Sequence, residues 1–557
     1  MPEPEHGGIL AARALKESGV RTIFALPGGH NLPLFDGARV QGLRLIDTRH
    51  EENAVMMAEG WALATGEVGV ATVTAGPGFT NALPGMAEAH KAGAPVVVIS
   101  GRTALRQRGR EAVQDIDQLA LATPVTKWRE ECLTAGRLPE YVREAVHRAR
   151  SGAPGVAYLE IPQDVFGDRV SPDEKPWPAG YPEAKPDPPR GDVDRAVDIL
   201  SSAERPVVLA GSGAHFSGAG PAMEAFAERT GIPVITTSAA RGLIDDDHPK
   251  SLGGLVHGGI AMASSDAVLV LGSRFNANLL WGGAPLFPAG GKVVQVDVDP
   301  ESLGGERSPE VGIAGDVAAT LEAMTEAWSD SPGAHDEWAE RARGGAQTSR
   351  RSWEEESERP AKRVHPGWLA RETARFAEEL GPCTTVSDGG DSVLWGIAFF
   401  RAHRPGTHMY IGSALGTLGI GVPFGIAARA ARGGEPVVVF TGDGACGLSA
   451  MELDTAERHN LPLIVVVVNN GGWGDVRHEQ RAFYGEEADT GAILSTMRYD
   501  LLAEAVGGYG ETVETREEVR PALERAAKSG TVSVINVLTD PDVISDLMKN
   551  LGGMNVM

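Results

Sequence analysis

The sequence predicts an α/β protein built from three doubly wound parallel-sheet domains. Short apolar runs alternate throughout with amphipathic segments at helical spacing, the pattern of parallel strands covered by helices. A Pro-rich tract around residues 176–189 and a charged stretch at 336–363 divide these runs into three sets. A chain of 557 residues is long enough for three separate cores. The expected boundaries are 1–175, 190–335 and 364–540, with a tail at 541–557.

In the first set, residues 9–18 read as an amphipathic helix and 22–25 as a strand ending in Leu26-Pro27-Gly28-Gly29. Residues 44–47 form a second strand, which feeds a helix from about 51 to 65. A third strand at 69–74 runs out into Ala75-Gly76-Pro77-Gly78; strands at 95–100 and 158–161 complete the set. The tract Pro176-Trp177-Pro178-Ala179-Gly180-Tyr181-Pro182, continuing to Pro188-Pro189, reads as an interdomain linker. The second set begins near Asp192, with strands at 206–210, 233–236, 267–271 and 292–298. After the charged helical segment come strands at 384–387, 436–441, 461–468 and 532–537. The first and third sets read as one kind of sheet used twice. In the tail, Val543, Ile544, Leu547, Met548 and Leu551 fall at helical spacing, which suits a docked helix or a lid.

Bulk properties narrow the function. The composition is 42% apolar and 23% charged, that of a soluble globular protein, and the formal net charge of −24 argues against nucleic acid or an anionic membrane as partner. No apolar run reaches membrane-spanning length. The amino terminus, Met1-Pro2-Glu3-Pro4-Glu5-His6, lacks the basic and apolar regions of a secretory signal. The three cysteines, Cys132, Cys383 and Cys446, are widely spaced, which fits a reducing compartment, and a cytoplasmic location is expected.

The chemistry is concentrated in Thr441-Gly442-Asp443-Gly444-Ala445 and Asn469-Asn470-Gly471-Gly472. Each motif follows a strand, so a carboxylate and an amide can converge on one hard cation, and oxygen-only ligation beside a phosphate suits Mg²⁺. The glycines allow backbone N–H groups to approach that phosphate closely. Glu51, in Arg49-His50-Glu51-Glu52-Asn53-Ala54, lies where a strand passes into a helix. In the middle set, Gly211-Ser212-Gly213, Gly272-Ser273-Arg274, Asp297-Val298-Asp299 and Gly315-Asp316 form a nucleotide-type pattern, with an acid for a ribose hydroxyl and an arginine for a phosphate.

These motifs together resemble the signatures of thiamine diphosphate (ThDP) enzymes, in the branch that holds acetohydroxyacid synthases, 2-hydroxyacyl-CoA lyases and oxalyl-CoA decarboxylase. The resemblance covers nearly the whole chain. It implies a pyrimidine-binding domain first, a central nucleotide-binding-like domain, and a diphosphate-binding domain last. Glu51 is implied as the glutamate on the cofactor's pyrimidine. Asp443, Asn470 and the Gly472 carbonyl are the implied Mg²⁺ ligands, and Leu418 the residue that props the cofactor. Pro27, Gly28, Gly76, Pro77, Asp388, Gly390, Gly442, Gly444, Ala445 and Trp473 are further implied cofactor contacts. Gln114 matches a substrate-side glutamine, and His30 and His478 are candidates for proton transfer, since imidazole titrates near neutrality. Gly211, Arg274, Asp297, Asp299 and Asp316 would hold ADP, the nucleotide of CoA, or FAD. The resemblance also implies a homodimer at minimum, with a homotetramer expected, and active sites formed between subunits.

Val113-Gln114-Asp115 and the run Gly471-Gly472-Trp473-Gly474-Asp475-Val476-Arg477-His478 depart from the usual acetohydroxyacid synthase pattern. On that ground, and because Asp388-Gly389-Gly390-Asp391, the segment from Asp443 to Asp454 and Arg458-His459-Asn460-Leu461-Pro462 look closer to the 2-hydroxyacyl-CoA lyases, the sequence favours a carbon–carbon lyase that cleaves a 2-hydroxyacyl-CoA to a carbonyl compound and formyl-CoA. The alternative is an acetolactate-synthase-type enzyme acting on pyruvate and a second 2-oxo acid. An inactive homologue or a dinucleotide dehydrogenase is poorly supported, because Glu51, Asp443 and Asn470 are all present and no GxGxxG unit lies near the amino terminus.

Overall fold

The computed structural model describes residues 3–171, 180–182 and 184–552. Much of the expected linker tract and the last five residues of the tail lie outside these. Three six-stranded sheets, every pairing parallel, form three α/β domains. Packing groups the chain into two compact units, residues 1–185 with 413–417 and residues 186–412 with 418–557.

In the first unit the sheet runs, in spatial order, Arg44–Asp47, Thr22–Ala25, Gly69–Val73, Val96–Arg102, Val156–Pro162 and Trp128–Glu131. Numbered along the chain this is 2-1-3-4-6-5. The central strands are buried along nearly their whole length, as expected of sheets covered on both faces. The helix Glu51–Thr65 is apolar almost all round and is buried accordingly. Its start is fixed by His50, whose ring accepts the Glu52 N–H, and it ends at Gly66 in the left-handed conformation (φ 73°).

The second unit carries two sheets. The first orders Ser251–Gly254, Val234–Thr236, Pro206–Ala210, Ala267–Leu271, Lys292–Asp297 and Val311–Ala314, which is 3-2-1-4-5-6, the dinucleotide-fold order. The second orders His408–Tyr410, Thr384–Asp388, Val437–Gly442, Ile464–Asn469, Ser533–Leu538 and Tyr509–Val513. This is 2-1-3-4-6-5 again, so the expectation that the first and third sheets share one design is met. The long helix Asp336–Ser357 lies between the two sheets in sequence. It ends six residues before the expected boundary at 363 because Pro360 cannot continue it. In the tail, Asp546–Gly552 is helical and its first N–H bonds to Glu356 Oε1 at 2.7 Å. Arg359 pairs with Asp546, and Lys362 and Arg481 with Asp542. No helix of the described residues is long and apolar enough to cross a membrane.

Candidate active-site elements

In an open α/β sheet, ligands collect beyond the carboxyl ends of the strands where the strand order reverses. For the order 2-1-3-4-6-5 that position lies between the first and third strands of the chain. In the first unit it is occupied by the Pro27-Gly28 turn and the Gly76-Pro77 turn, and Glu51 begins the helix after the neighbouring strand.

Glu51 is buried (6% exposed) on the first turn of its helix, where the helix dipole favours a carboxylate. Its Oε2 accepts from Asn81 Nδ2 at 3.0 Å, and its Oε1 lies 3.3 Å from where a Cβ on Gly78 would stand. Any side chain at Gly78 would also run into Thr74. Gly28 backs onto Thr74 in the same way, and its N–H is held by Asn31 Oδ1 at 2.9 Å. The Gly76 N–H donates to Gln118 Oε1 at 2.9 Å. Gln118 itself is fully buried and bonds to Ser100 and Tyr158. Gln114 sits at φ 66° against Gly76, where a larger residue would collide with its Cα. His30 hydrogen-bonds Gln114 and lies 3.4 Å from Thr74 Oγ1; burial holds its pKa below the ordinary value, with the Gln114 bond opposing. The structure thus brings Gln114 and His30 together. Pro27 and Pro77 are exposed at the turn tips.

In the second unit, the equivalent switch point of the last sheet lies between Asp388 and Gly442. The Asp388 carboxylate is fully buried and spent on the backbone: Oδ1 accepts from Gly389 and Gly419 at 2.8 and 3.2 Å, and Oδ2 from Gly421 at 2.9 Å. Burial pushes its pKa up to about 6 against the pull of those N–H groups. Asp388 therefore fixes the loop that carries the half-buried Leu418, while Gly390 leads the next helix.

The structure brings Asp443 and Asn470 together. Asp443 Oδ2 and Asn470 Oδ1 both accept from the Gly472 N–H at 3.1 Å, which places two oxygens side by side. Asp443 is 2% exposed, and burial raises its pKa to about 6, opposed by neighbouring backbone N–H groups. A buried carboxylate beside a carbonyl-type oxygen is a donor set suited to a hard cation. Tyr499 OH donates to the Asp443 carbonyl at 2.7 Å, and Trp473 covers Gly444 so closely that an added Cβ would stand 2.6 Å from its ring. Gly442 and Ala445 flank the turn.

His478 proves to be part of a cluster that sequence reasoning did not assemble. Its Nδ1 lies 3.0 Å from Asp391 Oδ2 and its Nε2 is 3.1 Å from the Pro541 carbonyl. Burial disfavours the imidazolium, but Asp391 outweighs it and the His478 pKa is raised. Asp475 is pushed up to about 7, by burial first and by Asp391 and Glu479 next. Gly390 packs on Asp475, and Gly474 on Asn470 and Asp391, so the cluster adjoins the Asp443–Asn470 pair. Asn81, too, escaped sequence reasoning; its only signal was a position one helical turn beyond Gly76-Pro77.

In the dinucleotide-type sheet the switch point lies between the ends of the strands Pro206–Ala210 and Ala267–Leu271. There Gly211 and Gly213 pack directly on Gly272 and Ser273. Asp297 is buried and its pKa is raised by desolvation, with exposed Arg274 pulling the other way. Asp299 and Asp316 serve as helix caps, to the Glu301 N–H at 3.0 Å and the Ala319 N–H at 3.1 Å.

Fold and switch points define a doubly wound α/β protein with glycine-rich loops at the carboxyl ends of its strands, where ligands of such sheets bind. Models of three domains of thiamine pyrophosphate enzymes match the chain: the N-terminal TPP binding domain at residues 6–121, the central domain at 193–324 and the C-terminal TPP binding domain at 388–537. The chain is 35% identical over 548 residues to the acetolactate synthase large subunit of Mycobacterium tuberculosis, covering 98% of each. It is 31% identical over 556 residues to the 2-hydroxyacyl-CoA lyase of Arabidopsis thaliana, covering 97% of this chain and 96% of the relative. The acetolactate synthase isozyme 2 large subunit of Escherichia coli is 30% identical, with 96% of each chain covered. The chain belongs to the thiamine pyrophosphate enzyme family and is a ThDP-dependent enzyme.

Proposed function

We propose that the enzyme is an acetolactate-synthase-type carboligase, condensing pyruvate with a second 2-oxo acid after decarboxylation. The observation that carries this reading is full-length similarity, 35% to the mycobacterial acetolactate synthase against 31% to the plant lyase. The 2-hydroxyacyl-CoA lyase reading, favoured by the sequence alone, stands second and rests on Asp388-Gly389-Gly390-Asp391 and the residues after Asn470.

When bound, ThDP supplies a thiazolium carbon nucleophile and an electron sink for the acyl carbanion. Glu51, held by Asn81, would donate a hydrogen bond to the ring nitrogen of the cofactor's pyrimidine and so favour its imino tautomer. Asp443 and Asn470, with the Gly472 carbonyl, would hold the diphosphate through Mg²⁺. Leu418, fixed through Asp388, would support the cofactor between its two ends. Gln114 and His30 offer neutral hydrogen bonds to a substrate carbonyl, and the depressed His30 pKa keeps the ring uncharged at neutral pH. His478, oriented by Asp391, would move a proton at the diphosphate side. Gly211, Arg274, Asp297 and Asp316 would receive a nucleotide, as FAD, ADP or part of CoA. A homodimer or homotetramer, working in the cytoplasm on small-molecule substrates, completes the proposal.

The test is to load the purified protein with ThDP and Mg²⁺ and offer pyruvate and 2-hydroxyacyl-CoA in parallel. Acetolactate formation supports the carboligase. Release of formyl-CoA without acetolactate would overturn it in favour of the lyase. Bound flavin, identified by mass spectrometry, would add support for the first reading.

A further inference from the structure

We propose that the second unit contains an oxyanion site, built by Arg343 and Arg350 of the helix Asp336–Ser357 together with Ser251 and Arg401, that takes a phosphate group. These residues, with Asp246 and Asp247, line a cavity of about 90 Å³ beside the edge strand Ser251–Gly254. A cavity needs about 10–15 Å³ per water on this measure, so the space admits a tetrahedral oxyanion.

The charge balance decides the ligand's sign. Asp246 is already committed: it forms a buried bidentate pair with Arg241 and accepts the Ala402 N–H at 3.0 Å. Asp247 is committed to Arg401 at 2.6 Å. Among the described residues neither Arg343 nor Arg350 has an ion-pair partner; Arg343 reaches only the Asp247 carbonyl, at 3.3 Å. The lining therefore carries two arginines whose charge is not matched by a carboxylate. The Arg350 pKa is lowered, by burial first, with Arg401 and Arg241 adding to it and Asp246 and Asp247 opposing. Buried His257, bonded to Ser349 and the Ala398 carbonyl, is driven down to about 4 by burial and then by Arg350.

Arginine forks match the paired oxygens of a phosphate, and a partly buried guanidinium without a counter-ion gains most from one. The Ser251 hydroxyl accepts the Gly253 N–H at 3.2 Å, which leaves its own proton to donate. An added side chain at Gly253 would stand 2.9 Å from Arg350 Nη2, so the strand leaves the guanidinium room. A bound phosphate would join the long helix to the edge strand and to Arg401. Free phosphate and the phosphate of a nucleotide share this chemistry.

The test is isothermal titration of the ThDP- and Mg²⁺-loaded enzyme with inorganic phosphate, and separately with AMP, in a chloride buffer. Saturable phosphate binding is expected, weakened on the order of ten-fold or more in Arg350→Gln and in Arg343→Gln, with thiamine diphosphate retention unchanged. Arg343→Gln keeps the test open should the more buried substitution fail to fold. Tighter binding of AMP, lost in both variants, would identify a nucleotide as the source, and equal or weaker binding the free ion. Absence of saturable binding of either ligand up to roughly 10 mM, or binding that neither variant weakens, would overturn the proposal.

Discussion

Replacing Asp388 by asparagine separates two opposing contributions that this buried carboxylate makes to the diphosphate-side domain. Its two oxygens receive the N–H groups of Gly389, Gly419 and Gly421. An asparagine offers one oxygen, so at least one of those donors faces an amide NH₂, a loss of roughly 1–3 kcal/mol for a buried unsatisfied group. Against this, the carboxylate is costly to ionise, with its pKa displaced from 3.8 to about 6 by burial. Since the folded-state value is raised, the associated stability is complete below pH about 4 and is lost as pH rises through about 6, roughly 3 kcal/mol in all. About half of that is lost between pH 5 and pH 8. Asparagine does not titrate, so the stability of Asp388→Asn relative to wild type should rise between pH about 5 and pH about 8. Paired denaturant or thermal midpoints at fixed scan rate check this, because other titrating groups cancel in the difference. A relative stability that stays constant or falls with pH would refute the reasoning.

Glu51→Gln should retain the fold and most ThDP affinity while lowering kcat by about 10²–10⁴-fold, the usual weight of one proton-transfer group; wild-type turnover would remove Glu51 from that role. Asp443→Ala should weaken retention of ThDP in the presence of Mg²⁺, read by cofactor content after desalting; unchanged content would exclude it as a ligand. Arg241→Met should lower stability by about 3–5 kcal/mol, because it leaves the Asp246 carboxylate buried without its partner. Restoration by the double change Arg241→Met with Asp246→Leu would confirm that origin, and an unchanged melting midpoint in the single variant would contradict it.

Much of the fold was legible because strands buried on both faces are written as unbroken apolar runs. Residues 22–25, 206–210 and 267–271 match the observed strands end for end. Of the six edge strands only Arg44–Asp47 was read in advance. Trp128–Glu131, Tyr509–Val513 and Val311–Ala314 are shorter or more polar, having less apolar surface to bury. Of the candidate site, the Asp443–Asn470 pair could be read because each stands at a strand end beside a glycine turn, and Glu51 because it stands where a strand passes into a helix. The link between Asp391, Asp475 and His478 could not, since it joins residues more than eighty positions apart through side chains alone. Asp388 was legible as a site residue, whereas its engagement by three backbone N–H groups required the loop at 419–421 to be in place.

The strand order 2-1-3-4-6-5 occurs twice, and its two switch points carry different chemistry, a lone glutamate in one and a paired carboxylate and amide in the other. Each chain therefore carries one copy of each set, and under the proposed roles a lesion in either set would damage every centre that draws on it. The halves can be dealt to separate polypeptides. Chains bearing Glu51→Gln and chains bearing Asp443→Ala, co-refolded or co-expressed, would complement one another if a centre draws its halves from two chains: each mixed pair would then hold one intact centre and one doubly damaged one. Were each centre drawn from one chain, no mixture would recover any turnover.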